Sequence, residues 1–146
     1  MLGILIDTID NSELDKLNKI CLGSDVVLFT DTTLPPRKLS NLCVFNTERS
    51  FDFEGVLVST SIRTTKALEK NKSAKNKFFY VRNVEWLSSP PGPPYSVFCD
   101  AYNNKEIPTI ANSPEVSKAL SEFFTKPIGT ATEWNLSKIK ALKNEL

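Results

Sequence analysis

Arg82, Glu85 and Trp86 lie within one short stretch and combine a bidentate hydrogen-bond donor, an acid and a flat apolar ring of the kind that stacks on sugars or bases. The same residues admit a plainer role, with Arg82 and Glu85 paired at the surface and Trp86 closing one end of a core. Asp7 and Asp31 each follow an apolar run, and two such carboxylates could serve as a general base and a magnesium ligand. Short acids in those positions also cap the loop or helix that follows, which is the simpler role. Arg49 and Arg63 leave neighbouring apolar runs and could meet an anionic group or stay solvated. Thr8 beside Asp7, and Ser113 ahead of Pro114, complete the polar set.

What is missing narrows the chemistry. The chain of 146 residues has no histidine, so Ser-His-Asp, Cys-His and His-metal mechanisms are excluded for it acting alone. Neither a Gly-x-Gly-x-x-Gly run nor a Walker-type run occurs, so nucleotide binding by this chain alone is not expected and no cofactor is implied. The three cysteines, Cys21, Cys43 and Cys99, are odd in number and widely spaced, against a disulfide framework or a zinc site and in favour of a reduced, cytoplasmic setting. A net charge of +1 supplies no field for nucleic acid or an anionic membrane. No apolar run approaches the roughly 20 residues of a membrane span, and the first apolar run lacks a basic leader and cleavage site.

The elements that must position these side chains can be read from the hydrophobic pattern. Apolar runs at Leu2 to Ile6, Asp25 to Phe29, Leu42 to Phe45, Gly55 to Ser59, Phe78 to Val81, Ile107 to Ala111 and Ile128 to Thr132 predict short strands. Pro108 is expected to push the sixth of these to a sheet edge. Between them, Leu14, Leu17, Ile20 and Cys21 share one helical face, begun by Asn11 or Ser12 and ended near Gly23. Thr60, Ser61 or Thr64 starts a helix carrying Ala67 and Leu68. Residues 70–77, KNKSAKNK, have no apolar period and read as a solvated helix end and loop. Tyr95 to Tyr102 predicts a short helix. Ser113, Pro114 and Glu115 give the clearest helix start, followed by an apolar stripe of Val116, Ala119, Leu120, Phe123 and Phe124. A last helix begins near Leu136, with Trp134 as its packing anchor. Pro35 and Pro36 break the pattern early, and SSPPGPPYS reads as a stiff connection across the sheet end.

Continuous apolar strands alternating with amphipathic helices imply an α/β fold: a single Rossmann-like domain over residues 1–146, three-layered α/β/α, with a mostly parallel sheet of six or seven strands. Right-handed crossovers place the strand exits on one edge. A ligand site is therefore drawn from Asp7, Thr8, Asp31, Arg63, Arg82, Glu85, Trp86 and Ser113.

The segments FFYVRNVEWL and IPTIANSPEVSKALSEFFTKPIGTATEWNLSKI resemble, in their order of strand, loop and helix, the N-terminal domain of GT-B glycosyltransferases. In that half-domain a strand of this kind is followed by a loop and helix, then by a strand ending in a serine that opens a helix, as Ile110 to Ser113 do here. A short strand and an Asn-containing crossover come next, matched by Ile128 to Asn135. Two departures matter. Asp7-Thr-Ile-Asp10 replaces the glycine-rich turn often found after the first strand, and the chain stops at Leu146, where the nucleotide-sugar-binding domain would begin. The resemblance thus implies at most an acceptor-binding half that is catalytically incomplete alone, a truncated piece of a longer enzyme, or a retired domain kept for another purpose. The expected partners are a sugar or other polar small molecule, a second domain or subunit, or a second copy of the chain. The alternative is a non-enzymatic interaction or assembly module.

Overall fold

A computed structural model describes residues 1–33, 42–87 and 94–142. The Pro35-Pro36 break and most of the proline-rich connection after Leu87 lie outside the described residues. Among the described residues seven parallel strands form one sheet: β1 (Leu2–Leu5), β2 (Val26–Phe29), β3 (Cys43–Phe45), β4 (Val56–Ser59), β5 (Asn76–Val81), β6 (Thr109–Ala111) and β7 (Gly129–Thr130). The helices are α1 (Asn11–Ile20), α2 (Ile62–Glu69), α3 (Tyr95–Tyr102), α4 (Pro114–Phe123) and α5 (Leu136–Leu142). This is the Rossmann-like three-layer arrangement expected from the pattern. No described helix is long and apolar enough to cross a membrane.

Alternation along each strand sends side chains to opposite faces, and each face has its own core. Leu2, Ile4 and Ile6 join Val58, Phe78 and Tyr80 beneath α1 and α5, where Leu17, Leu136 and Ile139 close the layer. Leu5, Leu57, Phe79 and Val81 pack on the other face against Ile62 and Leu68 of α2, Tyr102 of α3 and Leu120 of α4. Burial on both faces explains why Phe78 to Val81 is continuously apolar. Gly3 has no room for a side chain, since a Cβ there would stand 2.6 Å from a Leu57 methyl.

The strand order is β3-β2-β1-β4-β5-β6-β7. The chain steps outward from β1 to β3, then returns to lay β4 on the other side of β1. Such a reversal opens a crevice beyond the carboxyl ends of the two central strands, and in this chain those ends are Ile6-Asp7 and Ser59-Thr60.

Four local expectations are corrected. Asp10, not Asn11 or Ser12, caps α1, its carboxylate accepting from the Glu13 N–H at 2.7 Å. Gly23 does take a left-handed φ of 68°, but α1 has ended by then, with Cys21 as its last capping residue. Strand β6 lies between β5 and β7 rather than at the edge. Pro108 precedes the strand, so its missing N–H costs no ladder bond, and its carbonyl accepts from the Phe79 N–H at 3.0 Å.

The segment 70–77 is the fourth. Asn71 in it is fully buried: its amide nitrogen donates to the carbonyls of Ser50 (2.6 Å) and Phe53 (3.0 Å), and its amide oxygen accepts from the N–H groups of Ser73 (2.9 Å) and Ala74 (2.7 Å). The Asn71 carbonyl also accepts from the Lys77 ammonium. One side chain thereby holds the 3-10 turn Thr47–Ser50 and its continuation against the end of α2.

Candidate functional site

At the exit of β1, Asp7 ties two elements together. Its Oδ1 accepts from the Thr8 N–H at 2.8 Å, and its Oδ2 accepts from the Ser61 hydroxyl at 2.8 Å. Ser61 is itself the cap of α2, in a reciprocal arrangement with Thr64 that satisfies the first backbone donors of the helix. Asp31, beyond β2, accepts from the Thr47 N–H at 2.9 Å and so caps the 3-10 turn. The Thr32 hydroxyl, bonded to the Asp7 carbonyl at 2.6 Å, joins the two exits. Asp7 thus takes the role open to it in the sequence, bonding the N–H that follows it, whereas Asp31 bonds a turn 16 positions further on rather than the segment next to it. Each carboxylate has about four acceptor positions and uses only some of them here.

Asp7, Asp31 and Arg63 line a common cavity of about 290 Å³ between these exits, the 3-10 turn and α2. Ile6, Phe51 and Ala67 supply its apolar surface, while Lys66 and Lys70 add cations on the α2 wall. Two larger described cavities flank it. One of about 440 Å³ is lined by Thr8, Asp10, Glu13 and Arg82 above the neighbouring strand exits. A broad groove of about 840 Å³ runs past Met1, Gly55 and Lys75, at the amino ends of the strands.

Arg82, Glu85 and Trp86 are not assembled as one cluster. The Arg82 guanidinium bonds Glu13 of α1 at 2.6 Å, with the two side chains 19% and 20% exposed, and also reaches the Thr8 carbonyl at 3.2 Å. Its ion-pair partner is thus an acid on the first helix rather than Glu85. Glu13 also accepts from the Trp134 indole N–H at 3.2 Å. Trp86 turns to the opposite face, edge-on to Tyr102 and Phe124 with centroids 5.1 and 4.8 Å away. Ser113 caps α4 by accepting from the Val116 N–H at 3.2 Å and lines neither of the two cavities above the strand exits. Beneath Arg82, the Tyr80 hydroxyl lies 2.6 Å from Asn112 Oδ1 and 2.8 Å from the Ala131 carbonyl, and accepts from the Trp134 N–H at 3.1 Å. Burial pushes its pKa up to about 12.

Burial also raises the pKa of Glu85, with Arg82 pulling it down and Asp7 pushing it up. The folded chain therefore keeps the Glu85 proton to higher pH than the unfolded chain does. In that window the folded state binds more protons, so the Glu85 contribution to stability is fully present at low pH and is lost as pH rises through the raised value. Glu85→Gln is expected to flatten the dependence of the urea midpoint on pH just above the ordinary carboxylate range. An unchanged pH profile would exclude Glu85 as its source.

Of the residues singled out in the sequence, Asp7, Asp31 and Arg63 share one cavity, Thr8 and Arg82 share the adjoining one, and Trp86 and Ser113 lie apart from both. Missing from that set were Lys66 and Lys70, which follow Arg63 at helical spacing and were legible as a basic face, and Phe51, which carried no signal. Among the described residues no group of three or more cysteines or acids is arranged to hold a metal ion. No protein-family model, curated protein or solved structure matches the chain.

Proposed function

We propose that the chain binds a sugar or a similar hydroxyl-rich small molecule in the crevice above β1, β2 and β4. In this reading it is an acceptor-binding unit of the GT-B kind, and any group transfer requires a second domain or subunit. The observation that carries the proposal is the convergence of Asp7, Asp31 and Arg63 on a cavity of about 290 Å³ where the strand order reverses. The unused acceptor positions of the two carboxylates suit sugar hydroxyls, and Ile6, Phe51 and Ala67 offer an apolar surface to the C–H face of a ring. Calorimetric titration with neutral sugars and nucleotide-sugars tests it. Binding of at least one sugar is expected, weakened about tenfold or more by Asp7→Asn, because a hydrogen bond to a charged group contributes about 1.5–3 kcal/mol. Absence of heat and of any thermal shift across the panel would sink the proposal.

The alternative, an interaction or assembly module, draws on the exposed aromatic rings of Tyr95 (58% exposed) and Phe123 (53%), which adjoin Trp86 and Phe124. Light scattering that finds a monomer, with and without Phe123→Ser, would remove that reading.

A further inference from the structure

We infer that the crevice takes a phosphorylated sugar, with its hydroxyls toward Asp7 and Asp31 and its phosphate on Arg63 and Lys66. The inference rests on the reading of the crevice as a sugar site and extends it to the charge of the ligand.

Arg63, Lys66 and Lys70 stand at i, i+3 and i+7 on α2 and its end, which places them on one stripe of the helix. All three line the cavity. Among the described residues, Arg63 and Lys66 form no ion pair. Of the acids lining the cavity, Asp7 is bonded to Ser61 and Thr8 and Asp31 to the Thr47 N–H, while Glu48 adds a third carboxylate on the 3-10 turn, opposite the cations of α2. Charge is thus separated within one small space: acceptors at the strand exits, cations along the helix.

A ligand that donates hydroxyl hydrogens at one end and carries a dianion at the other matches that separation. A rise of about 1.5 Å per residue sets Arg63 and Lys66 about 4.5 Å apart along the helix axis, a span one phosphate can bridge. Arginine supplies a planar fork suited to phosphate oxygens, and lysine a point charge beside it. Lys70 lies further along, its ammonium 5.6 Å from the centroid of the Phe51 ring, so its contribution is attraction from a distance. A volume of about 290 Å³ lies at the low end for small-molecule sites, which favours one sugar unit over a nucleotide-sugar.

The test is calorimetry on the full chain with three probes: neutral hexoses, the corresponding hexose phosphates, and inorganic phosphate. Hexose phosphates are expected to bind at least about tenfold tighter than their neutral parents at low ionic strength, with the advantage shrinking as salt is added. Arg63→Gln and Lys66→Gln should each remove most of that advantage. Both side chains are exposed, so unchanged melting temperatures are expected for the two variants. Asp7→Asn should weaken neutral and phosphorylated sugars alike.

Equal affinity for neutral and phosphorylated hexoses, still sensitive to Asp7→Asn, would overturn the phosphate inference and leave the sugar reading standing. Inorganic phosphate binding as tightly as the hexose phosphates, with Asp7→Asn silent, would overturn both and leave only an anion site. No binding by any probe would also overturn both.

Discussion

Asn71→Ala is expected to destabilise the chain by about 3–5 kcal/mol, because it removes four hydrogen bonds of a fully buried amide at once, at about 1 kcal/mol each, although the Ser50 carbonyl keeps the Phe53 N–H at 3.2 Å. The Ser50 and Phe53 carbonyls lie about twenty residues upstream of the amide that satisfies them, and no other described side chain bonds them. The loss would reach beyond stability. The stretch that Asn71 pins includes or adjoins Thr47, Glu48 and Phe51, and these form one wall of the cavity of about 290 Å³. Ligand affinity should therefore fall with the urea midpoint, although Asn71 does not line the cavity. Asn71→Asp, which keeps one acceptor geometry and loses the donors, should recover little. A midpoint shift equivalent to less than about 1 kcal/mol would contradict the description of Asn71 as the tie between these segments.

Trp134→Ala carries the other large expected effect, a loss of about 3–5 kcal/mol. The indole is 3% exposed, lies 4.3 Å from the Tyr80 ring centroid at a 33° tilt, and packs among Leu136, Ile139 and Leu142 of α5. Its backbone is left-handed, with φ 59° following φ 50° at Glu133, a conformation unfavourable for a bulky side chain. The surroundings over-determine it: Tyr80 receives the Trp134 backbone N–H and Glu13 receives the indole N–H. Trp134→Phe separates the two contributions, keeping most of the apolar volume and losing the indole donor, at an expected cost of about 1–2 kcal/mol. If alanine and phenylalanine cost the same, burial of the ring is not what holds this turn.

The sequence disclosed what depends on local pattern. Phe78 to Val81 is a strand buried on both faces and was legible as one, and Ser113-Pro114-Glu115 starts α4 as its residue types dictate. The parallel order followed from the same alternation. Long-range polar pairings were not legible. Arg82 meets Glu13 across 69 positions, and nothing in either local stretch points to the other. Asn71 was hidden for a different reason: a run of lysines and asparagines has the composition of a solvated loop, and the amide that enters the core differs from its neighbours only in what the fold brings to it. Within the candidate site, Asp7, Asp31 and Arg63 were accessible because strand exits converge in any such fold, whereas Phe51 sits in an irregular segment with no period to read.

The position of β1 also governs how the chain reaches its folded state. This strand precedes the other six in the chain yet pairs with β2 on one side and β4 on the other, so the middle of the sheet emerges ahead of its neighbours during synthesis and stays unsatisfied until residues 56–59 have followed it. With seven parallel strands and no hairpin among them, every pairing must close a substantial loop before it is rewarded. Assembly is accordingly a slow, non-local event for a chain of this size. During that interval the exposed β1, LGIL, is the segment most in need of protection from other chains.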